Sequence, residues 1–334
     1  MDDRNSLKKT ALGFTDIYID RSSPERSYTY NQRGNIYKKY DEYTNEEQSF
    51  LKEFFTYSLM KIDDESADGI KKDHLIKWAD RSFRAYQIPA ISGTVVAMRQ
   101  MPPKFINLEE TGLNKRIMEE LLHRRLSRGG LVIICGAPGN GKTTTCAAMI
   151  DARLKMYGGL CITIEDPVEI ELKNDWGSKG KCLQIQVRDK SEFPEAVRGI
   201  MRAYPTGVDS MMLIGETRDP ETASEALRSS MDGRLVITTM HSDNPASALE
   251  RFYTYASKIL DQDDVSSMLS SSFRLCIHQT LNKGQLSPTI LVDEVEVRGI
   301  LKNQKFGSLK TNIEHQNKAI ELDKPFQYSN RRFD

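Results

Sequence analysis

Residues 136–143, Gly-Ala-Pro-Gly-Asn-Gly-Lys-Thr, match the phosphate-binding pattern G-x-x-x-x-G-K-[ST] at every fixed position. Glycines let successive backbone N–H groups turn inward around an anion, and a helix that follows points its positive end at the same place. In this pattern Lys142 reaches the β- and γ-phosphates of ATP, and the Thr143 hydroxyl holds Mg²⁺. The nucleotide-binding candidates are therefore Gly136, Pro138, Gly139, Asn140, Gly141, Lys142, Thr143 and Thr144.

The segments around this loop supply the elements that the pattern needs. An apolar run at 131–135 precedes the loop, and residues 144–154 have the spacing of a helix. Four more short apolar runs follow, with helical segments between several of them: 160–164, 183–187, 211–214 and 235–239. This alternation is typical of a mainly parallel sheet with helices on both faces, so we predict an α/β nucleotide-binding domain.

Three of these runs end in a side chain that can act on a phosphate. Glu165 ends the run at 160–164, Glu216 follows the run at 211–214, and His241 comes after the last run. Ligands bind beyond the carboxyl ends of the strands in open parallel sheets, so these side chains can converge on the phosphate loop. Hydrolysis needs a group that positions or deprotonates water, and we expect a carboxylate to do this.

The first hundred residues have a different pattern of polar and apolar residues. Short segments in which polar and apolar residues alternate favour strands of a small α+β domain, at 16–20, 28–30 and 34–37. A helix capped by Thr44 or Asn45 should follow. Two more strands are expected at 81–86 and 93–99, joined by a turn that contains Pro89.

Prolines and glycines suggest where the domains divide. Pro102 and Pro103 interrupt regular structure, so residues 1–100 are expected to form the first domain and 101–108 a linker. The second domain is then 109–322, and the polar end at 323–334 is expected to be a flexible tail. Within the second domain we predict helices at 115–126 and 265–281 and a strand at 289–297.

Composition makes several classes of protein less favoured. The 334 residues carry 47 basic and 47 acidic side chains, which argues against a protein that binds nucleic acid through a global basic excess. No window approaches the ~18 apolar residues of a membrane span, and no apolar leader follows Met1. The five cysteines show no C-x-x-C spacing and are expected to be reduced and buried.

Four sequence boxes occur in order along the chain. They are the phosphate loop, an "Asp box" at 162–169 (Ile-Thr-Ile-Glu-Asp-Pro-Val-Glu), a Walker B box at 213–219 (Leu-Ile-Gly-Glu-Thr-Arg-Asp) and a "His box" at 238–242 (Thr-Thr-Met-His-Ser). Together they resemble the ATPases of type II/IV secretion systems and type IV pili, most closely the pilus-retraction branch or a conjugation or type IVB secretion relative. The resemblance covers nearly the whole chain.

The resemblance implies a RecA-like P-loop ATPase domain preceded by a PAS-like α+β domain. It implies that Glu216 positions water, that Glu165 is a second catalytic carboxylate and that His241 senses the γ-phosphate. Arg84 and Arg99 would be arginine fingers of the N-terminal domain. The implied assembly is a homohexamer that is peripheral at the cytoplasmic face of the bacterial inner membrane, bound to a polytopic platform protein of a pilus or secretion machine, with no direct nucleic-acid contact.

Some residues depart from the family pattern. The stretch 182–190 differs from the usual Gln-Arg-Glu segment, and Gly215 stands where many P-loop ATPases have an aspartate, as in this family. The chain also lacks the four-cysteine zinc module of the assembly branch, which favours a retraction, conjugation or secretion ATPase. Two other classes stay open from the residues alone: a RecA-like nucleic-acid translocase and an ATP-binding regulatory subunit without turnover.

Overall fold

The computed structural model describes residues 14–31, 36–66, 73–78, 81–101, 105–172, 175–187, 192–324 and 326. They belong to two compact units, Met1–Lys104 and Phe105–Asp334. The two prolines of the predicted linker lie outside the described residues, as does most of the predicted tail.

The first unit consists of a six-stranded antiparallel sheet and a long helix, α1, at Asn45–Ser66. The strand order is β3-β2-β1-β6-β5-β4. The strands are β1 Asp16–Asp20, β2 Tyr28–Asn31, β3 Ile36–Lys39, β4 Asp73–Trp78, β5 Arg81–Ala90 and β6 Gly93–Gln100. The core between the helix and one face of the sheet is formed by apolar side chains that include Ile17, Ile19, Leu51, Phe54, Phe83 and Met98.

Helix α1 begins where the sequence predicts. The Thr44 hydroxyl accepts a hydrogen bond from the Glu47 backbone N–H at 3.3 Å, and the Glu47 carboxylate accepts one from the Thr44 N–H at 2.9 Å. This reciprocal pair satisfies donors that the first turn of a helix leaves unbonded.

The hairpin of β5 and β6 corrects one prediction. Pro89 lies inside β5, opposite Thr94, and the chain turns at Ile91 and Ser92. Strand β4 pairs with β5 only as far as Tyr86. Beyond that point the missing N–H of proline interrupts no ladder to β4, so proline is tolerated in the strand.

The second unit is built on an eight-stranded sheet of order β14-β13-β7-β12-β11-β8-β10-β9. Its six inner strands, from β13 to β10, are mutually parallel, and β14 and β9 add antiparallel edges. The strands are β7 Gly130–Cys135, β8 Gly159–Glu165, β9 Asp175–Trp176, β10 Gly180–Gln186, β11 Ser210–Ile214, β12 Leu235–Met240, β13 Phe273–Asn282 and β14 Gln285–Val292.

Helices cover both faces of this sheet. They are α2 Lys115–Leu122, α3 Lys142–Tyr157, α4 Phe193–Ile200, α5 Pro220–Met231, α6 Pro245–Ala256, α7 Gln262–Ser272, α8 Val295–Lys302 and α9 Leu309–Glu321. Alternate residues of β7 belong to two separate apolar cores, with Leu131 and Ile133 in one and Val132 and Ile134 in the other. The predicted fold class, α/β with a mainly parallel sheet, is therefore confirmed. No helix in the described ranges is long and apolar enough to cross a membrane.

Three element predictions in this unit were wrong. Helix α7 ends at Ser272, and the second half of the predicted helix at 265–281 is strand β13. Strand β14 ends at Val292, so the predicted strand at 289–297 runs into helix α8. Helix α2 is shorter than predicted, because a 3₁₀ turn replaces it at Arg124–Arg128. A strand buried on both faces has no polar alternation to distinguish it from a buried helix.

A buried group of charges joins the start of this unit to the end of β14. The Arg125 guanidinium contacts the carboxylates of Glu120, at 3.2 Å, and of Asp293, and all three side chains are nearly inaccessible. Arg298 binds the second oxygen of Asp293 at 2.7 Å. Buried charges are tolerated only when they are paired, so each member depends on the others.

We predict that Arg125→Met lowers the free energy of unfolding by about 3–5 kcal/mol, because it removes the guanidinium that pairs with the buried Glu120 and Asp293 carboxylates. Urea denaturation of the full chain, followed by fluorescence and circular dichroism, measures this. Lys115→Met is the control, because its exposed pair with Glu119 spans 4.0 Å and should contribute roughly 0.5 kcal/mol or less. Equal destabilisation by the two variants would contradict the assignment.

Candidate nucleotide-binding site

Backbone hydrogen bonds beyond the strand ends bring the four sequence boxes together. The Gly136 N–H donates to the Met240 carbonyl at 3.2 Å, and the Thr217 N–H donates to Thr239 at 2.9 Å. The Gly215 N–H donates to Ile164 at 2.8 Å. The phosphate loop, the His box, the Walker B box and the Asp box are therefore neighbours along the carboxyl edge of one sheet.

The phosphate loop contains backbone conformations with positive φ, which favour glycine. Gly136 has a φ of 146°, and a Cβ there would lie 2.4 Å from the Gln279 carbonyl oxygen. Gly141 has a φ of 77° and directly precedes α3, a helix of 16 residues. A Cβ on Gly139 or Gly141 would meet no atom within 4 Å. The loop therefore leaves room for phosphate oxygens at the positive end of a long helix.

Lys142 is held inside this loop. Its ammonium donates to the carbonyls of Gly136 and Ala137, each at 2.9 Å, and lies 3.4 Å from Nδ1 of His241. Burial lowers the pKa of Lys142, while the Glu216 carboxylate acts in the opposite direction. The amine therefore lies where it can exchange carbonyl partners for phosphate oxygens.

The imidazole of His241 links the phosphate loop to the Walker B carboxylate. Nε2 lies 3.1 Å from Oε1 of Glu216, and Nδ1 lies 3.2 Å from the Gly136 carbonyl. An ionised carboxylate can only accept, so Nε2 carries the hydrogen. In a neutral ring Nδ1 then accepts from Lys142, and in a protonated ring it donates to Gly136. One side chain therefore contacts three parts of the site.

The other oxygen of Glu216 pairs with Arg218, and this hydrogen bond is the main reason that the pKa of Arg218 is raised. The loop that carries both residues is fixed by threonines. Thr239 donates its hydroxyl to the Gly215 carbonyl at 2.6 Å, and the hydroxyls of Thr217 and Thr238 lie 2.8 Å apart. Glu216 is therefore held by both of its oxygens and by the hydrogen bonds of the residues on either side of it.

Glu165 is buried at the end of β8. Thr163 donates its hydroxyl to Oε1 of Glu165 at 2.7 Å, and the Gln184 amide donates to the same oxygen at 3.1 Å. Burial raises the pKa of Glu165, and these hydrogen bonds oppose the shift. A side chain at Gly215 would approach the Glu165 backbone to 3.4 Å, so glycine permits this contact between neighbouring boxes.

The two predicted arginines lie in the first unit. Arg84 and Arg99 are direct partners on neighbouring strands β5 and β6, so both side chains are on one face of the sheet. Nε of Arg99 lies 2.7 Å from the buried carboxylate of Asp16, although 66% of the Arg99 side chain is exposed. The structure thus groups the predicted residues into two sets: the arginines, and the residues around Lys142.

Sequence reasoning missed Gln279 on strand β13. The Asn140 amide donates to the Gln279 carbonyl at 2.8 Å and accepts from the Leu281 N–H at 3.2 Å, while the Gln279 side chain donates to Thr145 at 2.8 Å. Asn140 was predicted only as a nucleotide contact, but its side chain fastens the loop to β13. Residues 273–279 are buried or half-buried on both faces of the strand, so no local pattern marked Gln279 and the segment was predicted as part of a helix.

Gln184 was also missed, although it contacts a predicted catalytic residue.

All five cysteines are buried free thiols, as expected from their spacing. In the described part of the chain no group of three or more His, Cys, Asp or Glu side chains could hold a metal ion. Thr143 lies in the first turn of α3 and is partly exposed.

The parallel sheet, the glycine loop before α3 and the acidic strand ends define a P-loop nucleotide-binding protein of RecA-like architecture. A sequence model described as "Type II/IV secretion system protein" matches residues 68–312. The chain therefore belongs to the type II/IV secretion system protein family.

Individual relatives agree with this family. The type IV pilus retractation ATPase PilT of Pseudomonas aeruginosa is 31% identical over 242 residues, which are 70% of this chain and 66% of that protein. The matched segment spans 37% and 41% of the length of two type II secretion relatives from Escherichia coli and Pseudomonas aeruginosa. The chain thus spans less than two thirds of these curated relatives.

Solved structures share the fold. A crystal structure of the pilus retraction motor PilT with bound ADP has a TM-score of 0.70 at 23% identity, covering 94% of this chain and 89% of that one. The ATPase DotB of Legionella pneumophila has a TM-score of 0.64 at 21% identity, covering 96% of this chain and 87% of that one.

We predict that Asn140→Leu weakens nucleotide binding about tenfold or more. It keeps the size of the side chain but removes two hydrogen bonds of about 1 kcal/mol each that hold the loop on β13. Titration with a fluorescent ATP analogue measures the affinity. Asn303→Leu is the control, because that amide donates to the Gly299 carbonyl four residues earlier, at the end of α8. An Asn140→Leu protein that binds as tightly as wild type would contradict the role of this contact.

Proposed function

We propose that this chain hydrolyses ATP to ADP and phosphate and uses the energy as a motor of a type IV pilus or secretion machine. The observation that carries the proposal is the contact of His241 with both Lys142 and Glu216, which joins a phosphate-binding amine to a carboxylate. Membership of the secretion ATPase family supports it. The relative named as a retractation ATPase and the similar fold that binds ADP support it further.

In this proposal the phosphates lie in the loop at 136–143, against the N-terminus of α3. Lys142 binds the β- and γ-phosphates, which replace the carbonyls that its ammonium now contacts. Gly136, Pro138, Gly139, Asn140, Gly141 and Thr144 form the rest of the loop surface. Binding energy thus comes from backbone N–H groups, one cation and the helix dipole.

Glu216 positions the attacking water. Each carboxylate oxygen offers two lone pairs, so bonds to His241 and Arg218 still leave an acceptor for a water proton. Because Nε2 of His241 contacts Oε1 of Glu216, a γ-phosphate that displaces the imidazole would also change the hydrogen bonding of the Glu216 carboxylate. Glu165 supplies a second negative charge at the neighbouring strand end.

Mg²⁺, when bound, would neutralise charge on the β- and γ-phosphates. The Thr143 hydroxyl, in the partly exposed first turn of α3, is the residue of this chain that fits as its ligand. Gly215 supplies no side chain for the metal, so water is expected to complete its coordination.

Arg84 and Arg99 are proposed as arginine fingers that stabilise the charge of the transition state. Their adjacent positions on β5 and β6 allow two guanidiniums to approach the same anion. The ion pair of Arg99 with Asp16 would orient one of them before nucleotide binds. The domain limits at 1–100 and 109–322 are part of this proposal.

The assembly is proposed to be a homohexamer at the cytoplasmic face of the inner membrane, bound to a polytopic membrane protein. Light scattering with and without nucleotide tests the assembly directly. A monomer under every condition would contradict the ring, and hydrolysis that DNA stimulates would favour a nucleic-acid translocase instead.

We predict that Glu216→Gln lowers kcat for ATP hydrolysis at least ~100-fold while leaving nucleotide affinity nearly unchanged, because a neutral amide lacks the charge and basicity with which the carboxylate activates the water. Lys142→Ala should instead abolish tight binding. A phosphate-release assay and fluorescent-nucleotide titration separate the two effects. Glu221→Gln, an exposed position near the start of α5, is the control. Undiminished hydrolysis in both site variants would refute the proposed function.

Arg99→Ala should lower kcat by on the order of 10³-fold if Arg99 is a finger, with nucleotide affinity little changed, because the interaction forms only in the transition state. Arg26→Ala, an exposed arginine of the same unit, should leave kcat as in wild type. If both variants had the same kcat, Arg99 would be an ordinary surface charge.

A further inference from the structure

Gln184 lies on β10 and contacts both the Asp box and the loop that follows it. Its amide nitrogen donates to Oε1 of Glu165 at 3.1 Å and to the Ile170 carbonyl at 2.9 Å. Its amide oxygen accepts from the Leu172 N–H at 2.7 Å. Strand β10 is the parallel neighbour of β8, so the two side chains approach from adjacent strands.

The orientation of this amide is fixed by all three contacts. With the oxygen and nitrogen exchanged, the Gln184 oxygen would face the Glu165 carboxylate and the Ile170 carbonyl, and the nitrogen would face the Leu172 N–H. Each of those contacts would be repulsive, so only one orientation satisfies them. The side chains of Ile170 and Leu172 are buried in the apolar core, which keeps the loop in place.

We propose that Gln184 is a positioning residue of the hydrolytic site, which holds the Glu165 carboxylate ionised and aligned and ties it to the loop that follows the Asp box. This inference rests on the proposed ATP hydrolysis. Thr163 donates to the same oxygen from the same strand as Glu165, so donors from two adjacent strands converge on one carboxylate oxygen.

The surroundings of Glu165 show why such donors are needed. Burial and the nearby Glu169 carboxylate raise the pKa of Glu165, whereas Thr163, Gln184 and the backbone N–H of Glu169 lower it. The thiols of Cys146 on α3 and Cys161 on β8 also interact with Glu165, and burial raises their pKa values, so that they stay neutral. Gly215, which follows strand β11, carries no charge.

Two substitutions separate positioning from packing. Gln184→Met keeps the length of the side chain but removes the donor, so the pH at which kcat falls on the acid side should rise by about one unit, the equivalent of one hydrogen bond to a charged group. Gln184→Glu keeps the shape and replaces the donor by a second carboxylate. Gln184→Glu should raise the pH at which kcat falls further than Gln184→Met does. If Gln184 had a purely structural role, Gln184→Glu would be the milder of the two changes, because it keeps the shape of the side chain.

The experiment is the pH profile of ATP hydrolysis for wild type, both variants and the control Gln285→Met, an exposed position on β14. Affinity for a fluorescent ATP analogue should be unchanged in all four proteins. A loss of kcat that is equal at every pH, or a Gln184→Glu protein as active as wild type, would overturn the proposal.

A second measurement does not require hydrolysis. A buried carboxylate with a raised pKa makes folding less favourable as the pH rises through its titration, so Gln184→Met should lose more stability than wild type as the pH rises above the ordinary pKa of glutamate. In a Glu165→Gln background this pH-dependent difference should vanish. If the difference persisted, the role of Gln184 would be overturned, whether or not the chain hydrolyses ATP. If the wild type were inactive and the difference vanished as expected, only the proposed function would be refuted.

Discussion

The site depends on the parallel pairing of β12 with β7 on one side and β11 on the other. In this register Cys135 is the partner of Met240, and Ile214 is the partner of Thr238. Single backbone bonds then extend the ladder past the strand ends, from Gly136 to Met240 and from Thr217 to Thr239. The side-chain period of a strand is two, so a slip of one residue would turn His241 away from both Lys142 and Glu216.

Around this constraint, neutral amides hold the charged residues in place. Asn140 fastens the phosphate loop to β13, and Gln184 fastens Glu165 to the loop after β8. Amides supply both a donor and an acceptor without adding a charge to a site that must receive an anion. The buried charges of Arg125 and Asp293 lie apart from this cluster, where they join distant segments of the chain.

The sequence predicts those parts of the site whose signals are local. The loop at 136–143 and the polar residues that end β8, β11 and β12 are consecutive in sequence with the strands that position them, and the structure places them as expected. Strand β13 was mistaken for a helix because it is buried on both faces, so Gln279 was not recognised as part of the site. No local pattern could predict the bond between Asn140 and Gln279, which are 139 residues apart. Gln184 lies in the stretch that departs from the family pattern, so resemblance gave no help there.

In the proposed function Lys142, His241 and Glu216 form one site around the γ-phosphate. A crystal structure of the chain with Mg²⁺ and a non-hydrolysable ATP analogue would show whether they do. We expect the Lys142 ammonium to leave the carbonyls of Gly136 and Ala137 for the β- and γ-phosphate oxygens, and Glu216 to bind a water beside the γ-phosphorus. An analogue bound away from the loop, or a Glu216 carboxylate directed away from the phosphate, would contradict it.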